Sequence, residues 1–471
     1  MKISGRTGKS PALILLVVGT GLFMDGLDGA IVNISLPQIA EGFSSGLGMA
    51  SLVLTIYLAA LSSLMIIFAK SLYFLGTKKV YISGLALFTV SSFLCTLSWD
   101  IESLILFRAL QGAGAAMIAP SAIAAVAIHV GESKRARSFG IIAAVASLAY
   151  TIGPVVGGLL TEYLNWHWIF LINIPIGTAG ILLAAYLLPA DKTEIFDRQK
   201  FDYTGSCLFF VAMNLFILPL GFLGSSQAGL LKPVFLTALS AILFIIFAFA
   251  ETKALDPVID FSMFKNRDFS YSTVAYTLVM LIYGGLFLIL PFYLEDILGK
   301  STGQAGLYLL IPSFLITVLS PVSGYFADKK GERIISVISS VVFTASFAII
   351  LLTFSQNSIF WLIFALIITG IGCGSFLSAG SSRIIEHSAE DKKEMASGIM
   401  STSIYLGTAL GTSLFAAIFE FFSGGVAQSA TVTSNATFMK GFNAAVFAGL
   451  LFCIIIVLTS YMAKDKKSAT N

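Results

Sequence analysis

The chain has 471 residues, of which 57% are hydrophobic and only 11% charged, with a mean hydropathy of +0.92. A soluble globular chain carries about 25% charged residues, so this composition excludes a soluble domain and describes a protein that crosses a membrane many times. The net charge of +3 belongs to membrane-facing loops and gives no sign of nucleic-acid binding.

The first apolar stretch, residues 11–33, would be about 35 Å long as a helix at roughly 1.5 Å per residue, enough to cross a hydrocarbon core of about 30 Å. It is too long for a signal peptide and lacks a small-residue cleavage site, so it is expected to remain as span 1. Asp25 and Asp28 fall inside it, three residues apart and hence on one helix face. A carboxylate near the bilayer centre costs about 2.5–3.5 kcal/mol on insertion scales, so the pair calls for a cavity, a partner or a proton. The plainer alternative is an acid that snorkels or stays protonated without a role.

Thirteen further apolar segments of spanning length follow. Spans 2 to 6 lie near 49–69, 79–98, 102–128, 138–161 and 167–188, and spans 7 and 8 near 203–224 and 232–252. Spans 9 to 14 lie near 269–294, 304–327, 334–355, 358–383, 394–421 and 442–462. The loops are too short for a soluble domain. Cys95, Cys207, Cys373 and Cys453 all sit in apolar segments without metal or disulfide spacing, and read as small packing residues. Of the 28 Lys and Arg, 24 fall on the N-terminal side of the membrane, three (Lys232, Lys300, Lys440) on the other, and Arg108 lies inside span 4. By the positive-inside rule both termini are cytoplasmic. Glu162, Glu295, Asp296 and Glu420 lie at outer span ends and are expected to be solvated.

The chain repeats itself. The turn after span 2, from Ala69 through Gly76 to Lys78, is matched after span 10 from Gly324 through Gly331 to Arg333, with a small residue, a glycine at +7 and a cation at +9. Spans 4 and 12 share a Gly-x-Gly, at Gly112 and Gly114 and at Gly370 and Gly372. Two six-span halves with an extra pair between them is an internal duplication, the architecture of many secondary transporters. The halves are drawn as 1–190 and 269–471, with a linker over 191–268 carrying the two extra spans.

Four ordered motifs give the duplication a family. Leu27-Asp28-x-x-Ile31-Val32-Asn33-x-x-Leu36-Pro37, Arg108-x-x-Gln111-Gly112-x-Gly114, Gly153-Pro154-Val155-Val156-Gly157-Gly158, and the 256–269 loop around Asp256, Pro257, Asp260 and Arg267 stand in sequence. Together they resemble the major facilitator superfamily, and within it the fourteen-span drug:proton antiporters, over nearly the whole chain. The resemblance implies an all-α membrane protein of two pseudo-symmetric six-helix bundles with two linking helices, in the cell (inner, cytoplasmic) membrane. It implies export of lipophilic, often cationic compounds against protons, with the proton gradient as energy source, no cofactor, and function as a monomer. The alternatives are an exporter or flippase of a lipid or another amphiphilic metabolite on the same fold, or a non-transporting membrane sensor.

Within that resemblance, Asp25, Asp28, Arg108 and Gln111 carry proton coupling and line the substrate cavity. Arg108 lies about 10 Å below the outer surface, and Asp25 and Asp28 about 21 and 26 Å above the inner one, so their depths match. A carboxylate–Arg108 pair that opens on protonation is one reading; a static pair that fixes helix packing is the other. Gly153, Pro154, Gly157 and Gly158 form a hinge or seal in span 5, where lost bulk and a lost hydrogen bond let a neighbour approach; ordinary small-residue packing is the other reading. Gly76, Lys78, Gly324, Asp328, Gly331 and Arg333 form cytoplasmic gating loops, with Asp328 capping a helix of the other half. The first copy departs from the family at Ala69 and at Tyr73, which stands where an acid is usual. His387 and Asp391 match an acyltransferase-like HxxxD spacing, but in a short charged loop without a supporting site.

Overall fold

The structure is a computed structural model, described over residues 11–464 except 131, 190–201, 222–230, 253–256, 258, 354–358, 390–391 and 424–434. Its described residues are helical almost throughout, as a chain in hydrocarbon must be when each backbone N–H and C=O needs an internal partner. Thirteen helices among them are long and apolar enough to cross a membrane. The remaining expected span, near 203–224, coincides with helix α9 (Tyr203–Gly221), which is apolar over Thr204–Pro219; residues 222–224 lie outside the described residues.

The N-terminal set comprises α1 (Pro11–Ile34), a short α2 (Leu36–Gly42), α3 (Leu47–Leu75), α4 (Thr77–Thr96), α5 (Ile101–His129), α6 (Glu132–Tyr163), and a sixth span broken into α7 (Trp168–Leu171) and α8 (Asn173–Leu187). After α9 and α10 (Leu231–Glu251) come α11 (Arg267–Phe292, continued by a π-helical turn at Tyr293–Ile297), α12 (Thr302–Lys330), α13 (Glu332–Thr353), α14 (Ile359–Glu386), α15 (Lys393–Phe422) and α16 (Asn435–Met462).

The internal repeat is realised in packing. In the first set α1 lies on α6, α3 and α4 on α5, and α4 on α8; in the second α11 lies on α15, α12 and α13 on α14, and α13 on α16. The sets meet along two equivalent seams, α6 against α12 and α15 against α3. The Gly-x-Gly pairs explain the close crossings. A Cβ on Gly112 would stand 2.4 Å from the Tyr57 carbonyl of α3, and one on Gly114 would stand 2.7 Å from the Phe88 nitrogen of α4. In the second set a Cβ on Gly370 would stand 2.9 Å from Pro312 Cα of α12, and one on Gly372 would stand 2.6 Å from the Phe343 nitrogen of α13.

The repeated turns also match. Gly76 has φ 81°, ψ 147° and Gly331 has φ 94°, ψ 136°, backbone open essentially to glycine alone. Two residues further on, Lys78 donates to the carbonyls of Ala185 (2.7 Å) and Leu188 (2.8 Å) at the end of α8. Arg333 donates to the Tyr461 carbonyl at the end of α16, from Nη2 at 2.7 Å and Nε at 3.0 Å. Both cations therefore satisfy terminal carbonyls of the last helix in their own set.

The linking helices pair with each other, and α9 rests on α3 and α15. Only 17% of α10's apolar window is buried against 78% of α11's, which puts α10 at the rim.

Candidate functional site

Helix α5 is placed by a capping box in which Asp100 Oδ1 accepts from the Ser103 nitrogen at 2.8 Å and Ser103 returns to the Asp100 backbone. About 10 Å further in, Arg108 is fully buried. Its Nη1 donates to Asp28 Oδ2 at 2.5 Å and to Gln111 Oε1 at 2.6 Å, while its Nε donates to the Val53 carbonyl at 3.1 Å. The guanidinium carbon lies 4.2 Å from the centre of the Tyr57 ring and 5.7 Å from that of Phe170, which supplies cation–π attraction to a fully buried charge.

Asp28, also fully buried, uses its other oxygen for two amides, Gln111 Nε2 and Asn173 Nδ2, each at 2.8 Å. Ser92 Oγ accepts from the same two amides at 2.7 and 3.3 Å. The charge is thus neutralised by one cation and fixed by two neutral donors from α5 and α8. Buried charges persist in structures only when paired and hydrogen-bonded in this way.

Asp25 goes elsewhere. One turn before Asp28, it accepts a hydrogen bond from the Tyr57 hydroxyl of α3. Tyr57 therefore lies against the Arg108 guanidinium with its ring face while holding Asp25 with its hydroxyl. Among the described residues, Arg108 Nη2 and Asn173 Oδ1 are buried with no hydrogen-bond partner. Among the described residues no cluster of His, Cys, Asp or Glu could hold a metal ion.

The structure brings Asp25, Asp28, Arg108 and Gln111 together. It adds Tyr57, Ser92 and Asn173, which the sequence reading missed. Asn173 is a polar residue at the start of an apolar span, the one local sign that could have marked it. The span-5 motif lies apart, between α1 and α12. A Cβ on Gly153 would stand 2.4 Å from Ala30 Cβ, and one on Gly157 2.7 Å from Ile34 Cγ2 and 2.9 Å from the Ile31 carbonyl. On the other face, a Cβ on Gly158 would stand 2.6 Å from the Thr302 carbonyl, and one on Gly306 would stand 2.2 Å from the Pro154 carbonyl.

The remaining readings fare differently. Gly324 packs on Ser378, whose Oγ would lie 2.7 Å from an added Cβ. The side chains of Asp328 and Tyr73 lie outside the described residues, as do Asp256 and Asp391. The expectation of solvated acids at the outer span ends is corrected in part. Asp296 and Glu162 are exposed, but Glu420 is buried and accepts from the Gly48 nitrogen at 2.5 Å, and half-buried Glu295 accepts from Gln38 Nε2. Glu162, though exposed, accepts from Ser301 Oγ at 2.9 Å and the Gly303 nitrogen at 2.8 Å. Cys207 is exposed on α9, whereas the other three cysteines are buried. Arg383 is a second deeply buried cation, donating to the carbonyls of Ala463 (2.5 Å) and Ser460 (3.3 Å). The His387 ring nitrogens lie 2.8 and 2.7 Å from the carbonyl oxygens of Arg383 and Lys464, so the ring serves helix-end packing.

A twice-repeated bundle of membrane helices with a buried, hydrogen-bonded ion pair at its interior defines a secondary transporter of small molecules. The chain belongs to the Major Facilitator Superfamily, whose profile matches residues 18–256 and 272–471, and members of that family are transporters, not enzymes. Among curated relatives, the riboflavin transporter RibZ of Clostridioides difficile (strain 630) is 29% identical over 98% of this chain and 99% of its own. The multidrug transporter protein MdtP of Bacillus subtilis (strain 168) is 30% identical over 71% of this chain and 61% of its own length. Among solved structures, an inward-facing, unoccupied bacterial homolog of the human lysosomal transporter Spinster superposes with a TM-score of 0.66 at 15% identity, covering 96% of each chain. A D-xylose–proton symporter superposes with a TM-score of 0.68 at 12% identity, covering 98% of this chain and 99% of its own. At such identities these structures establish the fold alone.

Proposed function

We propose that the protein is a proton-coupled exporter of the fourteen-span drug:proton antiporter type, acting on lipophilic, often cationic compounds by alternating access. The reading rests on the fully buried Asp28–Arg108 pair, with Asp25 one turn away on Tyr57. A proton arriving at either carboxylate weakens its hold on Arg108 or Tyr57 and lets the bundle rearrange, while the unprotonated acids attract a cation. Multidrug relatives such as MdtP support export. With α9 counted as span 7 the reading has fourteen spans; an even number leaves both termini on one side of the membrane, and the Lys and Arg distribution supports the cytoplasmic side. The halves are then 1–190 and 269–471, the linker 191–268, and the membrane the cell membrane; one copy carries the whole site.

A second reading has its own support. One relative that matches along almost its entire length is a riboflavin transporter, which favours a polar, planar metabolite as cargo. Purified protein in liposomes distinguishes the two. A proton gradient should drive uphill movement of a lipophilic cation such as ethidium, and the flux should collapse when the gradient is dissipated. Gradient-independent flux would refute coupling, and flux of riboflavin in place of the cation would move the substrate to the second reading.

A further inference from the structure

The two seams between the helix sets end in the same device. On one, Glu162 in the last turn of α6 takes the backbone N–H of Gly303, the second residue of α12, at 2.8 Å. On the other, Glu420 in the last turn of α15 takes the N–H of Gly48, the second residue of α3, at 2.5 Å. In both, a carboxylate from one set closes on the first turn of a helix in the other, where backbone N–H groups have no intrahelical partner and the helix carries partial positive charge.

Both also need glycine. A Cβ on Gly303 would stand 2.3 Å from Glu162 Oε2, and one on Gly48 would stand 2.4 Å from Glu420 Oε1. The acid occupies the space that any other residue's side chain would fill. Deeper along each seam lies a threonine pair, Thr151 with Thr317 and Thr55 with Thr412, each at 2.8 Å. An acid, a glycine amide and a hydroxyl pair thus recur in the same order on both seams.

We propose that Glu162 and Glu420 are paired latches that hold this end of the transporter shut, the end remote from the cation-rich loops, and that both must release for the protein to open there. The proposal requires only that the two helix sets separate during transport; it holds whichever substrate is carried. The latches are unequal, because Glu162 is exposed and Glu420 buried. Loss of the exposed one should raise the open population roughly two- to fivefold, and loss of the buried one up to about thirtyfold.

The test is a spectroscopic distance across that end in the full-length protein. Spin labels at Trp99→Cys and Phe360→Cys, both exposed, are placed in a Cys207→Ser background. Glu162→Ala, Glu420→Ala and the double variant should populate a longer distance in that rising order. Gly48→Ala and Gly303→Ala, which leave both acids in place but fill their seats, should do the same and decide the matter if the double variant fails to insert. An unchanged distance distribution in inserted protein carrying either pair of substitutions overturns the proposal.

Discussion

Replacing Asp28 by asparagine changes a charge and almost no volume. The new amide would turn an N–H toward Arg108 Nη1, which sits 2.5 Å from Asp28 Oδ2. Gln111 and Asn173 would still find the remaining carbonyl oxygen, since both donate to Oδ1. The principal loss is therefore the countercharge of a fully buried guanidinium. Removing one partner of a buried ion pair costs about 3–5 kcal/mol, a large share of a typical folding free energy of about 5–15 kcal/mol. Asp28→Asn should accordingly lose both uphill transport and a good part of its thermal stability. Asp28→Asn combined with Arg108→Gln removes both charges, so stability should return toward wild type while uphill transport stays lost. Melting of detergent-solubilised protein reports the first quantity, and gradient-driven flux in liposomes the second. Wild-type stability in the single variant would mean that Asp25, held beside the guanidinium by Tyr57, already balances Arg108. Wild-type uphill flux would remove Asp28 from the coupling step altogether.

Other expectations are as specific. Gly157→Leu drives a side chain into Ile34 and the Ile31 carbonyl, so transport should be blocked at an overpacking cost of about 1–3 kcal/mol, with membrane insertion retained on fractionation; near-normal transport would end the seal reading. Gly331→Ala forces a Cβ onto φ 94° and should lower stability by about 1–3 kcal/mol, measured as a fall in melting temperature. The carboxyl of Asp260 is pushed down from 3.8 to about 2, first by its hydrogen bond from Lys392, with Nζ 2.6 Å away. Its folded value is the lower one, so its stabilising contribution is present above about pH 4 and fades as the pH falls toward 2. Asp260→Asn should remove about 0–1 kcal/mol at pH 7, as partly exposed pairs do, and flatten that acid limb of the melting-temperature profile.

The sequence carried the ion pair because depth is one-dimensional. Counting residues from each membrane face put Asp28 and Arg108 at one level, and helices packed side by side did the rest. Asn173 and Ser92 were invisible for the opposite reason: they meet Asp28 and Gln111 across 145 and 19 residues of chain, and an isolated amide or hydroxyl in a span has no periodicity to betray it. The repeated turns were legible as a pattern, but the carbonyls that Lys78 and Arg333 take, each at the end of the last helix of its own set, were not. The acids at span ends misled for a plain physical reason. At the edge of a membrane, water is the default partner of a carboxylate, and only packing can show that a neighbouring helix has taken its place at Glu420.

The placing of α9 reaches beyond its own packing. It rests on α3 and α15, helices of 29 and 30 residues that come from different sets and form one of the two seams. A helix laid against both sides of a seam is a strap as well as a connection: if α3 and α15 part, at least one of them must slide along α9 or leave it, so the linking pair adds resistance to opening at that seam.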